Sequence, residues 1–417
     1  MAYNHKASLT PDPPQIHELP DLPGTISWNR EFQLLIACSW VPPGQQAAEY
    51  AERVKALCSD NIDWNAVIAL VDRHRVPALA YAMLRKCVWD RIPVAVQRQL
   101  KDRDRNARMA ALNRSAELLR LAKMFYEEKI DLLALKGPVL SVQLYSDLGM
   151  RQSNDIDLLV KGEDLDRAAR LLLRQGYECT FPDFELTAKQ RKVLQSACHH
   201  YCYRHLGRSV NLELHWRFAL WMPEHVAVLW KHSQWMEWSG ARFLRPNEEM
   251  SLLILCDHGA YHQWFRIKWL GDVAVLLTRC SGIDWMLLLD LAERLDLQRP
   301  LAQAALLAHW CYGIPLAEPL QSLIGDGNAA LARPALRALV TGEREYNCPP
   351  FFERWRKLWY FRNLRTRFPY RHFLRVLFLD TQTWKFVRLP NCMFWLYSLL
   401  RITSWAKRFY KTRLAPH

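Results

Sequence analysis

Two aspartates separated by one residue, Asp155 and Asp157, stand in an apolar run that otherwise has the composition of a buried strand. Successive side chains of a strand point to opposite faces of its sheet, so residues two positions apart share a face. Both carboxylates are therefore expected to project together, where their oxygens can bind a divalent cation. Upstream, another apolar run breaks at Lys136 and Gly137 before a helix-like segment. Residues 133–160 thus predict a phosphate-handling site, which needs a third carboxylate and a scaffold.

The third carboxylate is predicted on a strand further along the chain. In residues 209–216, alternation puts Glu213 and His215 on one face and apolar side chains on the other. Glu213 is therefore the natural partner of Asp155 and Asp157. Three clustered carboxylates repel one another unless cations neutralise them, so this set favours a metal site.

The chain divides into segments of different character, and together they predict the α+β fold class. We expect a flexible leader (1–25), an N-terminal helical region (26–128), a small mixed-sheet core (129–217), a helical domain (218–345) and basic, aromatic-rich C-terminal helices (346–417). Core strands are expected near residues 130–135, 155–160, 177–181, 200–205 and 209–216, and only helices from Trp221 onward. The sequence contains neither GxGxxG nor GxxxxGK[ST], which argues against a dinucleotide-binding fold and a P-loop.

Composition narrows the class of protein. The 417 residues are 50% hydrophobic and 24% charged, which predicts two or three globular domains and no extensive disorder. The 11 cysteines are scattered and odd in number, as is typical of free thiols in a reducing compartment. No secretory signal and no run of 18 uncharged apolar residues is present. We therefore expect a cytoplasmic protein, with a peripheral membrane contact left open.

The net charge of +14 is concentrated at the C-terminus. Residues 351–417 contain 15 Lys and Arg against two acidic residues, a local balance of +13, interleaved with aromatic side chains. Three interpretations stay open: helices that pack on the protein with a basic outer face, a surface for nucleic acid or an acidic substrate, and a helix lying on an anionic membrane.

Two histidine patterns invite a metal interpretation. The first combines Cys198, His199, His200, Cys202 and His205. Strand alternation, however, sends neighbouring residues to opposite faces, and no second cysteine pair with suitable spacing exists, which argues against zinc. The second is His258 and His262, four residues apart on a predicted helix. They lack the glutamate of an HExxH motif, so we expect core or substrate-facing histidines.

Taken together, these motifs resemble the uncharacterised nucleotidyltransferase family of the DNA polymerase β-like superfamily. The matching positions are Leu135-Lys136-Gly137, Tyr145, Gly149-x-Arg151, residues 155–160, Gly176-Tyr177 and residues 213–216. The similarity covers about residues 30 to 280 and includes Asp63-Trp64, residues 74–77, Leu244-Arg245-Pro246, His258, His262, Trp269 and Asp272.

The resemblance implies a polymerase β-like nucleotidyltransferase core embedded between helical regions. It implies that Asp155, Asp157 and Glu213 hold two Mg²⁺ ions, with Mn²⁺ as an alternative. The implied reaction is transfer of an NMP from an NTP to an acceptor hydroxyl or phosphate, by in-line attack on the α-phosphorus with release of pyrophosphate. Similar proteins usually carry Asp where this chain has Glu213, and the extra methylene changes the geometry of the carboxylate.

The resemblance also implies a set of nucleotide-binding residues. Lys136 and Gly137 stand where the wider superfamily has a Gly-Ser pair at a helix start, whose backbone N–H groups can bind phosphate oxygens. Arg151 and Ser153, in the turn before the acidic pair, are the next candidates for the triphosphate. The acceptor stays open among a peptide, an RNA end, a sugar and a small metabolite. The alternative functions are a catalytically silent nucleotide-binding or regulatory protein of the same fold and a tailoring protein associated with the membrane surface.

Overall fold

The computed structural model describes residues 29–44, 46–58, 61–218, 221–279, 282–342, 358–367, 370, 379 and 381–401. The predicted leader (1–25) and most of the basic C-terminal segment (346–417) lie outside the described residues. The flexible leader, and a contact of the basic segment with nucleic acid or membrane, therefore stay predictions.

Among the described residues, five α-helices precede the sheet, in the region that was predicted to be helical. They are α1 (Arg30–Cys38), α2 (Gln46–Leu57), α3 (Trp64–His74), α4 (Pro77–Cys87) and α5 (Val94–Glu127). Side-chain caps explain two of the starts: the carboxylate of Asp63 accepts backbone N–H bonds at the start of α3, and the amide oxygen of Asn29 does so at α1. Residues 94–127 contain neither Gly nor Pro, and α5 accordingly runs unbroken for 34 residues.

A seven-stranded mixed sheet forms the centre of the fold. Its strands are β1 (Leu133–Ala134), β2 (Asp155–Leu159), β3 (Glu178–Phe181), β4 (His200–His205), β5 (Val210–His215), β6 (Ser233–Trp238) and β7 (Ala241–Pro246). The order across the sheet is β3-β4-β5-β2-β1-β7-β6. Strand β2 runs parallel to β5 and β1 runs parallel to β7, while the other neighbours are antiparallel. The α+β class and all five predicted strands of the core are confirmed.

The hairpin of β6 and β7 corrects one expectation. We expected only helices beyond Trp221, which is wrong for residues 233–246. The two strands are joined by Ser239 and Gly240, whose positive φ angles of 48° and 72° belong to a tight hairpin turn. Because β7 pairs with β1, the sheet crosses the predicted boundary at residue 217. The division of the chain into five domains otherwise stays a prediction.

The sheet separates two apolar cores, and strands β2, β4 and β5 present a different face to each. The covered face carries Ile156, Leu158, Tyr201, Tyr203, Leu212 and Leu214. It packs against α5, α7 (Leu165–Arg174) and α8 (Ala188–Ala197). The site face carries the alternate residues Asp155, Asp157, His200, Cys202, Glu213 and His215. It adjoins the second core, which contains α6 (Pro138–Tyr145), the N-terminal helices and the helices that follow the sheet.

Helices again dominate the chain after β5. They are α9 (Pro223–Lys231), α10 (Glu248–Tyr261), α11 (Ile267–Arg279), α12 (Trp285–Arg294), α13 (Gln298–Tyr312), α14 (Glu318–Gln321) and α15 (Asp326–Thr341). The start of α10 is capped: the Asn247 side chain accepts the backbone N–H of Met250 at 3.0 Å. Beyond residue 342, helical structure is seen at residues 358–364, Thr381–Phe386 and residues 396–401.

Arg365 attaches the C-terminal segment to the rest of the protein. Its buried guanidinium donates to the carboxylate of Asp257 on α10 and, at 2.7 Å, to the carbonyl of Asp296. The Asp296 carboxylate in turn accepts the backbone N–H groups of Thr366 and Arg367 at 2.9 and 2.8 Å. Arg365 is therefore part of the packed core, whereas Thr366 and Arg367 beside it are exposed.

Two further observations bear on the sequence-based expectations. Across the described ranges, no helix combines the length and the apolar character needed to span a membrane. The nine cysteines that the structure describes are all free thiols, as predicted.

Candidate active site

A cavity of about 470 Å³ lies between the site face and helices α10 and α11. Six of the seven predicted site residues line it: Lys136, Arg151, Ser153, Asp155, Asp157 and Glu213. The seventh, Gly137, precedes α6 and is not among the described residues that line the cavity. The structure thus brings together residues that are up to 77 positions apart in the sequence.

The strand register explains how the carboxylates meet. Asp157 on β2 lies directly beside Glu213 on β5, and Asp155 lies one step further along the same face. Because the two strands are parallel and in this register, three side chains from two strands project into one space. One ligand atom each of Asp157, Glu213 and His215 lie within 4.8 Å of one another.

His215 is the charge partner of the two central carboxylates. Its Nε2 lies 3.2 Å from Glu213 Oε2 and 3.5 Å from Asp157 Oδ1. Burial alone lowers the pKa of an imidazole, yet the two carboxylates raise the pKa of His215 above its usual value. Burial acts to raise the pKa of Glu213, but His215 outweighs it and holds that pKa below its usual range.

Asp155 and Asp157 are in different electrostatic environments. Burial raises the pKa of Asp155, and the negative charges of Asp157 and Glu213 raise it further. Burial also acts to raise the pKa of Asp157, but Lys136 and His215 outweigh it and hold that pKa well below its usual range. The site therefore contains one carboxylate whose charge is paired and one whose charge is unfavourable among its neighbours.

Lys136 and Gly137 occupy the predicted element before α6. The ammonium of Lys136 lies 3.3 Å from Asp157 Oδ1 and 3.4 Å from His258 Nδ1, so it is directed into the site. Gly137 has φ of 70°, which only glycine adopts readily, and a Cβ there would lie 3.6 Å from the Asp155 carbonyl. Glycine thus permits the chain reversal that puts Lys136 beside the carboxylates.

Arg151 and Ser153 make contacts that the sequence did not predict. The guanidinium of Arg151 is buried and donates to the Asp272 carboxylate at 2.8 Å, and Asp272 also accepts from Tyr145 at 3.2 Å. The hydroxyl of Ser153 donates to the backbone carbonyl of Asp155 at 2.7 Å. Both residues line the cavity while also fixing the turn before β2, and their role as phosphate contacts stays a prediction.

Sequence reasoning missed three basic residues that line the cavity: Arg266, Lys268 and Arg75. Lys268 on α11 is buried and donates to the Gln152 carbonyl at 2.9 Å. Burial lowers the pKa of Lys268 well below its usual value, and Arg151 adds to the shift. Arg75, which ends α3 in a left-handed conformation with φ of 56°, also lines the cavity. None of these residues belongs to a recognisable catalytic or binding motif. Only the packing of α11 and of the segment after α3 in the folded structure brings them to the cavity.

Aromatic and imidazole rings form the wall opposite the carboxylates. Tyr261, His262, Phe265 and Trp269 line the cavity, and the rings of His262 and Trp269 stack with centroids 5.3 Å apart. His258, on the same wall, has a pKa well below its usual value because of burial and the nearby Lys136. The prediction that His258 and His262 are core or substrate-facing residues agrees with these positions.

The donor set suits a hard divalent cation. Asp155, Asp157 and Glu213 offer carboxylate oxygens, the ligands that Mg²⁺ and Mn²⁺ prefer. Their negative charges are crowded enough to raise the pKa of Asp155, and a bound cation would relieve that repulsion. The residues therefore fit a magnesium site, while the metal itself and the ligand roles stay predictions.

Comparison with known proteins adds the decisive observation. The model of one protein family, described as an uncharacterised nucleotidyltransferase, matches residues 60–313. The chain belongs to this family. The matched residues include the whole sheet and every predicted site residue. The resemblance inferred from the motifs is therefore confirmed, and the chain is a nucleotidyltransferase. Neither the curated proteins nor the solved structures that were searched gave a match.

Proposed function

We propose that this nucleotidyltransferase transfers an NMP from an NTP to a hydroxyl or phosphate of an acceptor and releases pyrophosphate. The observation that supports this most directly is the meeting of Asp155, Asp157 and Glu213 in a cavity that also contains lysine and arginine side chains. Phosphoryl chemistry depends on positioning and on charge stabilisation, and this combination provides both.

The cations of the cavity are suited to the triphosphate. Lys136 lies 3.4 Å from His258 Nδ1, Lys268 donates to the Gln152 carbonyl at 2.9 Å, and Arg75 is a further basic side chain that lines the cavity. In our proposal these groups hold phosphate oxygens and orient the α-phosphorus toward the carboxylates. The aromatic wall of Phe265, Trp269 and Tyr261 offers flat apolar surface on which a nucleobase can stack.

The carboxylates are suited to the reacting end of the nucleotide. Asp155, Asp157 and Glu213 would hold Mg²⁺, as two ions in the form that the resemblance implies, and the bound metal would supply charge neutralisation and a more acidic acceptor hydroxyl. The acceptor oxygen bonds to the α-phosphorus while the bond to the bridging oxygen breaks. Pyrophosphate leaves with that electron pair, and the acceptor proton passes to a carboxylate of the site.

The acceptor is a peptide, an RNA end, a sugar or a small metabolite, and we place the enzyme in the cytoplasm. Binding of nucleotide is therefore the part of the proposal that can be tested without knowing the acceptor. Calorimetric titration with each non-hydrolysable NTP and Mg²⁺ should give saturable binding to the wild type. A pyrophosphate-release assay over a panel of the four acceptor classes then tests turnover.

The double variant Asp155→Asn/Asp157→Asn keeps the shape of both side chains and removes their charge. We expect at least an about 100-fold loss of pyrophosphate release, since metal and charge stabilisation supply several kcal/mol of transition-state binding. Asp102→Asn, on the exposed side of α5, is the matched control and should retain wild-type behaviour. If the wild type and the double variant bind Mg-NTP equally weakly and neither turns over, the proposal is wrong.

A further inference from the structure

Three histidines meet at the edge of the cavity, next to the carboxylates. His200 on β4 lies directly opposite His215 on β5, with ring centroids 5.0 Å apart. The ring of His199 is 4.3 Å from that of His200 and 5.9 Å from that of His215. One ring nitrogen from each histidine lies within 4.8 Å of the other two, and all three rings line the cavity.

The alternation argument against zinc fails at His199 for a local reason. His199 precedes the first residue of β4, so the period of two does not govern its side chain. Its carbonyl accepts the backbone N–H of Trp216 at 3.1 Å, which holds it at the end of the β4–β5 ladder. Two consecutive histidines can therefore face the same side.

Some ring nitrogens of these histidines lack a hydrogen-bond partner in the described part of the chain. The Nδ1 atoms of His200 and His215 are buried and have no hydrogen-bond partner among the residues that the structure describes. A buried polar atom without a partner costs about 1–3 kcal/mol, so two such ring nitrogens beside the cavity call for an explanation, and a bound water or ion would supply one. A neutral imidazole nitrogen without a proton carries the lone pair that a metal ion requires.

We propose that His199, His200 and His215 form a binding site for one divalent transition-metal ion of the Zn²⁺ class. Imidazole nitrogen suits Zn²⁺ and its neighbours in the transition series, whereas Mg²⁺ prefers oxygen, so this site differs in metal preference from the carboxylates beside it. Three histidine ligands leave a fourth position of a tetrahedral ion open to the cavity.

The upper limit on the nitrogen–nitrogen distances within the cluster is longer than a bound metal ion requires. Zn–N bonds of about 2.0–2.1 Å in a tetrahedron put the ligand nitrogens about 3.3 Å apart. The three nitrogens lie within 4.8 Å of one another, so an ion would have to draw them together by up to about 1.5 Å. Glu213 Oε2, 3.2 Å from His215 Nε2, can orient this ring through one nitrogen while the other binds the metal.

A competing set consists of His200, Cys202 and Glu213, whose donor atoms also lie within 4.8 Å of one another. Cys202 is not among the described residues that line the cavity, whereas all three histidines are. An ion held by the histidines would therefore keep an exchangeable position facing the cavity. Because all of its ligands line the cavity, we favour the three-histidine set.

The test uses full-length protein without a histidine tag, stripped with a chelator and titrated with Co²⁺ while the visible absorption is followed. We expect one equivalent of Co²⁺ with the intense bands of a tetrahedral site, and displacement by Zn²⁺. His199→Ala and His200→Ala should each weaken binding at least about 10-fold, because even loss of an outer-shell partner typically costs that much. His205→Ala, on the same strand but outside the cluster, should bind like the wild type.

Two variants separate this proposal from the nucleotidyl-transfer proposal. Asp155→Asn should keep the Co²⁺ spectrum while losing Mg-NTP binding, and His199→Ala should do the reverse. The proposal is overturned if the wild type binds no stoichiometric Co²⁺, or if His199→Ala binds it as tightly as the wild type. Binding that is lost in Cys202→Ser but kept in His199→Ala also overturns it. Unchanged urea midpoints would show that the variants remain folded.

Discussion

The two faces of strands β2, β4 and β5 serve opposite purposes with the same period of two. On the covered face, Leu158 and Leu214 are fully buried among apolar neighbours. On the site face, the alternate residues are carboxylates and imidazoles, and burial together with the neighbouring negative charges disfavours the ionised form of Asp155. The comparison indicates that apolar packing on the covered face offsets the cost of crowding charged groups on the site face. Such a division is often found where a site is preorganised for a charged ligand.

The largest expected effect comes from the covered face. Leu158→Ala should lower the free energy of unfolding by about 2–5 kcal/mol, because it removes buried apolar contacts and leaves a cavity. Urea unfolding followed by circular dichroism measures this. Leu206→Ala, at an exposed leucine between β4 and β5, is the control and should change stability by less than about 0.5 kcal/mol. A loss below about 1 kcal/mol for Leu158→Ala would contradict the division between the faces.

A carboxylate on the covered side should behave differently from those in the cavity. Glu117 on α5 accepts from Tyr177 at 2.6 Å and from Arg120 at 2.8 Å. Burial acts to raise the pKa of Glu117, but these partners outweigh it and hold the pKa below its usual value. Glu117→Gln should therefore cost about 1–3 kcal/mol at pH 7.

The pH dependence of that loss sharpens the comparison. Because the folded state lowers the pKa of Glu117, the ionised carboxylate stabilises the protein above the unfolded-state pKa of about 4.3. The difference between wild type and Glu117→Gln should shrink as the pH falls below that value. Unfolding curves between pH 7 and pH 3 test this, with Glu127→Gln, an exposed position on the same helix, as control. A difference that grows on acidification would reverse the sign of our argument.

The smallest effect is expected on the site face, and its sign is opposite. At neutral pH the ionised Asp155 is unfavourable in the folded state, since its pKa is raised by burial and by its neighbours. Asp155→Asn, measured in EDTA, should leave stability unchanged or raise it by about 0.5–1 kcal/mol while activity is lost. Asp102→Asn again serves as control. Destabilisation by more than about 1 kcal/mol would show that Asp155 supports the fold.

Much of the site could be predicted because it depends on the alternation of side chains along single strands. The period of two placed Asp155 and Asp157 on one face, and the same rule on β5 placed Glu213 with them. The β6–β7 hairpin was missed although Ser239-Gly240 is a recognisable turn signal between alternating runs. Strand β6 contains two Trp and β7 contains two Arg, residues that helices also accept.

The rest of the site could not be predicted because it depends on long-range packing. Arg75, just after α3, and Lys268, on α11, are nearly 200 residues apart, and the local sequence around each assigned neither of them to the site. Similarly, the contact of Arg151 with Asp272 spans 121 positions, and no spacing rule links them. The convergence of three histidines depends on the side-chain direction of His199, which lies just outside the predicted and observed strand, where no strand period fixes it.

The attachment of Arg365 has a consequence for how the enzyme is made. Asp257 lines the cavity, adjoins His258 on α10, and binds both the Trp221 indole N–H at 2.8 Å and the Arg365 guanidinium. The family match ends at residue 313, so a ribosome has already produced the whole matched segment when this buried carboxylate still lacks its arginine. Arg365, the charge partner of this wall residue, is synthesised only about 50 residues after the end of the match. A shortened chain ending near residue 350 would contain all the residues that we assign to chemistry, yet it would bury an unpaired charge beside them.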